Sequence, residues 1–420
     1  MTHVHVIGAG LAGLSASLAL TAAGRSVTIH ESGPVAGGRC RSYYDRELDM
    51  RIDNGNHLLL SGNRTAFAYI DEIGTRDKFA MSHSPRFPFI DLKNGERWVL
   101  RPNRGRIPWW ILSGTRRVPD TRISDYIGMM RIARIQDDTP VADSMRRGRL
   151  YWRLVEPLTI AALNTRPQAG LARLLGEVMT ETLMRGGKAS IPAFPREGLS
   201  DALVDPAVAL LQQRGAEIGF SKRVSHLSIT DGRVAAIRVG DQVLTLNSDD
   251  AVILAVPPWV AADLLPDLTV PDAFEAILNV HFRMAPKVEG PVAEAGFIGI
   301  LEGVAEWVFI KTDHVSVTIS AANSRVDEPA RAIASAVWPD VCAALDQQIS
   351  RGSALPPFRV VKEKRATFAA TAQQEKRRPA SRTPLRNLAL AGDWTATGLP
   401  ATIEGAIRSG RTAADIVLGA

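Results

Sequence analysis

Gly8, Gly10 and Gly13 stand at the spacing G-x-G-x-x-G, directly behind the apolar run Val4 to Ile7. Glycines so placed serve an anion. The first permits a tight turn, the second lets backbone approach a pyrophosphate, and the third allows close helix–strand packing. A helix opening there, with the amides of Leu11 and Ala12 in its first turn, offers unpaired N–H groups and roughly half a positive charge. Glu31, followed by Ser32, closes the next apolar run. A carboxylate there accepts hydrogen bonds from ribose hydroxyls and disfavours a 2′-phosphate. Gly37-Gly38-Arg39 follows, and such a segment suits a dinucleotide extended through the protein, with the arginine fork turned to phosphate. "IDNGNHLLLSGN" (52–63) then brings Asp53, Gly55, Asn56 and His57 onto a strand and loop. A second strand–turn–helix, "AGDWTATGLPATIEGAIRSG" (391–410), lies near the other end of the chain.

Holding these residues takes a β-α-β unit. Leu14, Leu18 and Ala22 place a helix over Leu11 to Ala23, with Gly24 as its C-terminal stop, between strands Val4–Ile7 and Ser26–Glu31. Such a unit implies parallel strands and a right-handed crossover. Residues 65 to about 185 read as mostly helical. The stretch 197–218 reads as a helix returning into strands. Phe220–Ile229 and Val234–Val239, joined by Asp231-Gly232, read as a hairpin, and Gln242–Leu246 adds a strand. "AVILAVPP" (251–258) is apolar throughout and belongs in the middle of a sheet. Residues 263 to 382 alternate strand and helix less clearly. "QQEKRRPASRTP" (373–384) reads as an exposed connector, "NLALAGD" (387–393) as a last buried strand, and Thr402 to Leu418 as a last helix.

Together the glycine loop, Glu31, "GGRCRS" and the C-terminal turn resemble the flavin amine oxidase and phytoene desaturase superfamily. The motifs bracket the whole chain. The resemblance implies an α/β fold: a Rossmann-like FAD-binding domain, glutathione-reductase-like in its parallel sheet plus β-meander, with an inserted α+β substrate domain. The expected limits are 1–64, 196–262 and 385–420 for the FAD-binding domain, and 65–195 and 263–384 for the substrate domain. It also implies FAD held by Gly8, Gly10, Gly13, Glu31, Gly38, Arg39, Val224, Gly392 and Asp393. Gly55, Asn56 and His57 line the flavin segment. The last helix, with Pro400, Ala401 and Thr402 at its start, would aim its amides at flavin N1 and O2. Gly405 and Gly410 cost that helix roughly 0.5–1 kcal/mol each, which close approach of cofactor or sheet would explain.

"IDNGNHLLLSGN" (52–63), "WRLVEPLTIAALNTRP" (152–167) and "PREGLSDALVDP" (195–206) resemble the squalene-associated branch, the hydroxysqualene dehydroxylase family of bacterial hopanoid synthesis. That implies reductive loss of an allylic hydroxyl from an apolar isoprenoid, quenched by hydride from reduced FAD. The departing hydroxyl calls for an acid. His57 is the candidate, with Asp53 and Glu404 behind it. An oxidative carotenoid-type desaturase or an amine oxidase would share the same FAD site. With a single G-x-G-x-x-G, an external electron donor is expected.

Composition narrows the field. The formal charge is +6 and the isoelectric point about 9.5, but no zinc pattern or basic helix supports nucleic acid as a partner. His3 and His5 lack further ligands, and neither CxxC nor HExxH occurs, so no metal site is read. Two distant cysteines, an early first strand and the lack of an 18-residue apolar stretch suggest a cytoplasmic protein. "RGRIPWWILSGTRR" (104–117) adds one refinement. Trp109 and Trp110, flanked by Arg104, Arg106, Arg116 and Arg117, suit peripheral contact with the inner face of the cytoplasmic membrane.

Overall fold

A computed structural model describes residues 3–346 and 355–419, so residues 347–354 of the expected substrate domain lie outside the described residues. Five short strands form a parallel sheet in the order Glu217–Gly219, Ser26–His30, His3–Ile7, Ala251–Leu254, Leu388–Leu390. Ala251–Leu254 is buried along its whole length because it has neighbours on both sides. Val224–Thr230, Arg233–Val239 and Gln242–Thr245 make the antiparallel meander. Its hairpin turns through Asp231 and Gly232, with φ +50° and +68°, the left-handed pair that a two-residue turn demands.

Helix Leu11–Ala22 packs on helix Ile403–Leu418, and the contact explains one helical glycine. A Cβ on Gly410 would lie 2.2 Å from the Ala12 carbonyl oxygen. The Ser15 hydroxyl donates to the Ile407 carbonyl at 2.9 Å across the same crossing. Gly410 therefore answers to helix packing, not to the cofactor.

A seven-stranded sheet runs Phe358–Phe368, Phe274–Arg283, His314–Ile319, Trp307–Ile310, Phe297–Leu301, Phe87–Asp91, Glu96–Leu100. Alternation along its strands divides the two faces. Leu278, Val280, Phe282, Val315 and Val317 pack with Ile333, Val337 and Val341 of helix Ala330–Ala344. Asn279, His281, Ser316 and Thr318 face the other way and are buried.

Three expectations need correction. The segment 65–185 is not mostly helical, because Phe87–Asp91 and Glu96–Leu100 form an antiparallel pair at the edge of the large sheet. Asn94-Gly95, with Gly95 at φ +73°, is the turn signal that marks it. The boundary at residue 64 is not where packing changes. Ala66, Phe67, Tyr69 and Ile70 of helix Arg64–Glu72 join the core around the parallel sheet, and Leu59–Leu60 pairs with Pro192–Pro195 from the opposite side of that boundary. Residues 373–384 are not simply an exposed connector, since Gln374 and Arg378 are buried.

Candidate active site

The glycine loop has the shape that its spacing requires. Gly8 adopts φ +106°, and a Cβ there would lie 2.5 Å from the Ala255 carbonyl oxygen. A Cβ on Gly13 would overlap the Gly8 carbonyl oxygen at 1.9 Å, whereas one on Gly10 would meet no protein atom within 4 Å. Space is thus left over Gly10 alone, at the start of helix Leu11–Ala22, which has neither a side-chain cap nor an acidic residue in its first turn. The Gly37 amide donates to the Ala9 carbonyl at 2.8 Å, laying the Gly37-Gly38 turn alongside the loop. One carboxylate oxygen of Glu31 accepts from the Ala9 amide at 2.7 Å and the other from the Gly33 amide at 2.6 Å; Ser32 adds a longer bond. The amides of Ser221 and Lys222 donate to the carbonyls of Gly33 and Glu31, which sets Val224 at the same edge.

Arg39 and Asp393 come from opposite ends of the chain and meet at 2.7 Å. Arg39 also donates to the Ala366 carbonyl, and its own carbonyl accepts from the Asn54 amide group. Gly392 has φ +151°, and a Cβ there would strike the Trp394 indole. At the start of the last helix the Thr402 hydroxyl accepts from the Gly405 amide at 3.0 Å. That bond uses one of the donors expected for a flavin and leaves the amides of Ile403 and Glu404 in the first turn, behind Pro400 and Ala401.

Arg378 holds this second turn, and the sequence reading missed it. Its side chain is wholly buried. It donates to the carbonyls of Asp393 and Thr395 and to the Thr397 hydroxyl, pairs with Glu375 at 2.8 Å, and lies 4.8 Å from the Phe368 ring centre.

The candidate acids separate by environment. Asp53 accepts from the Ser42 hydroxyl at 2.6 Å and the Leu199 amide at 2.8 Å, so it ties its strand pair to the helical turn at Leu199. Glu404 accepts from the amides of Thr65 and Ala66 and pairs with Arg408, so it caps a helix. Burial pulls His57 down to about 4, which leaves its imidazole neutral at pH 7 and ill suited to give a proton. Beside it, Asn56 donates to Ser316 at 2.7 Å and Thr318 at 3.0 Å, and Asn279 donates to the Asn54 carbonyl. The polar strip of the large sheet therefore meets the flavin segment. Two residues beyond Thr318, roughly 7 Å along the strand, the Ser320 amide donates to the Glu306 carboxylate at 2.8 Å. Glu306 helps line a cavity of about 310 Å³ together with Trp152, Ile160, Phe89, Trp307 and Arg166. Burial raises its carboxyl to about 7, opposed by the Ser320 bonds and by Arg166. Neighbouring Glu156 is raised too, again by burial. Sequence offers no signal for Glu306, because its burial comes from strands far apart in the chain.

The parallel sheet, the uncapped helix above an open glycine and the returning C-terminal turn define a dinucleotide-binding oxidoreductase. The chain belongs to the flavin containing amine oxidoreductase family, whose model matches residues 11–418, and FAD is its cofactor. It is 47% identical to a hydroxysqualene dehydroxylase of Rhodopseudomonas palustris over 99% of this chain and 98% of that protein. It is 41% identical to a hydroxysqualene dehydroxylase of Zymomonas mobilis over 100% of this chain and 99% of that one. In fold it is similar to an oxidoreductase from Methanosarcina mazei, with a TM-score of 0.72, 15% identity, and 98% and 99% of the two chains covered. Among the described residues no helix is long and apolar enough to cross a membrane.

Proposed function

We propose that this enzyme reductively dehydroxylates hydroxysqualene to squalene. The observation that carries the reading is the near full-length similarity to hydroxysqualene dehydroxylases, joined to a half-buried carboxyl, Glu306, in a cavity of mixed wall that includes Phe89, Ile160 and Trp307. Bound FAD, when reduced, supplies a hydride. The chain itself must bind an apolar substrate, exclude water and place a proton on the leaving oxygen. Replacing C–O by C–H then consumes one hydride and one proton and releases one water. Phe89, Trp307 and Ile160 offer apolar wall. The Glu306 carboxyl is the proton source, held by the Ser320 amide through one oxygen. His57 serves as a neutral wall near the flavin segment. The electrons come from an external donor, because the chain has one glycine-rich dinucleotide loop.

Because Glu306 is raised to about 7, its protonated fraction falls as pH rises through that value. Turnover should therefore decline on the alkaline side of 7. Glu306→Gln should lower kcat by about 10²–10⁴-fold and remove that limb, while His57→Ala should keep it. An unchanged alkaline limb in Glu306→Gln would take Glu306 out of the mechanism. The reaction itself is tested with holoenzyme, hydroxysqualene and a chemical reductant under anaerobic conditions, with products read by mass spectrometry. Squalene is the expected product. Unchanged hydroxysqualene, together with desaturation of phytoene by the oxidised enzyme, would replace this reading with the oxidative one.

A further inference from the structure

Residues 101–134 contain eight arginines and two aspartates, with no lysine or glutamate. Their net charge of +6 equals that of the whole chain, so the remaining residues balance to zero. Large exposed apolar side chains gather in the same place. Of the eleven among the described residues, Ile107, Trp109, Leu112, Ile123 and Ile127 fall within it. Met184 adjoins it, since Gly187 and Lys188 donate backbone bonds to the carbonyls of Asn103 and Arg104.

Local packing turns these side chains outward. Trp110 is buried and meets Tyr126 edge-on at 5.3 Å, fixing the turn Trp109–Leu112 against helix Ile123–Ile132. Trp110 is thereby removed from the expected membrane contact. Trp109 is half exposed, with Arg116 4.7 Å from its ring centre. Ile123 and Ile127 share a helix face pointing away from buried Tyr126, Met129 and Ile132. Arg104, Arg106, Arg122, Arg131 and Arg134 of the same segment are exposed, and none has an ion-pair partner among the described residues.

We infer that this face docks on an anionic lipid bilayer, with Ile107, Trp109 and Leu112 entering the interface and the arginines on the headgroups. Exposed apolar area of this kind marks an interaction site. An amphipathic surface with aromatic and arginine edges matches an interface between water and acyl chains, and the charge matches an anionic leaflet. A second copy is the poorer occupant. A two-fold contact would set the patch against itself, arginine against arginine. Vesicle binding itself requires no reaction.

The test is flotation of flavin-loaded enzyme with vesicles of phosphatidylcholine alone or mixed equally with phosphatidylglycerol. We expect capture by the mixed vesicles, weakened by salt. Ile107→Ser with Leu112→Ser should reduce capture at least about tenfold, and Arg104→Ser with Arg106→Ser by a similar factor. Both variants should keep their flavin. Capture of either variant at the wild-type level would overturn the inference. So would absence of vesicle binding by an enzyme that dimerises through this patch or is retained by duplex DNA.

Discussion

The two turns proposed to grip the cofactor are built on opposite plans. The N-terminal turn is made of backbone. Gly8, Gly13 and Gly37 are each hemmed in by carbonyl oxygens, and only Gly10 opens outward. The C-terminal turn is made of side chains. Arg378 binds its carbonyls, Arg39 binds Asp393, and Trp394 donates to the Val256 carbonyl at 2.9 Å. The first plan tolerates no bulk and needs no partner. The second depends on a buried charge supplied from a segment that reads as a connector. Arg39–Asp393 joins them, so residues that the sequence assigns to different parts of one cofactor are in contact.

This contrast can be broken by substitution. The largest stability effect should come from Arg378→Ala. It would leave Glu375 with Arg173 alone at 3.3 Å and take the donor from the Asp393 carbonyl, at a cost of about 3 kcal/mol. Thermal unfolding checks this, and a loss below about 1 kcal/mol would mean that the C-terminal turn holds itself. Gly13→Ala should come next, at about 1–3 kcal/mol, because the new methyl overlaps the Gly8 carbonyl. Gly10→Ala should be nearly silent in apoprotein stability, within about 0.5 kcal/mol. Its methyl has room in the protein but occupies ligand space, so flavin content after purification should fall. Full flavin content would remove Gly10 from the pyrophosphate cradle.

The same contrast explains what could be read from the sequence. Backbone constraints are local, so the glycine loop, the parallel β-α-β unit, the meander hairpin and the final helix were legible from glycine spacing and periodicity. Arg378 was not, because its acceptors lie 15 to 19 residues on and become neighbours only when the chain returns to the sheet. Glu306 was illegible for a related reason: its acidity is set by strands and a loop that enclose it. His57 was legible by position, but its burial, which makes it neutral, is a tertiary property. The hairpin at Asn94-Gly95 did carry a local signal, obscured by the arginine, proline and tryptophan around its strands.

The central claim is that the buried site reduces an allylic alcohol with electrons held on one flavin. The most direct test is a single anaerobic turnover: enzyme reduced beforehand, freed of reductant and mixed with hydroxysqualene. The account predicts recovery of the oxidised flavin spectrum with one squalene formed per flavin. A flavin that stays reduced while hydroxysqualene is recovered intact would contradict it.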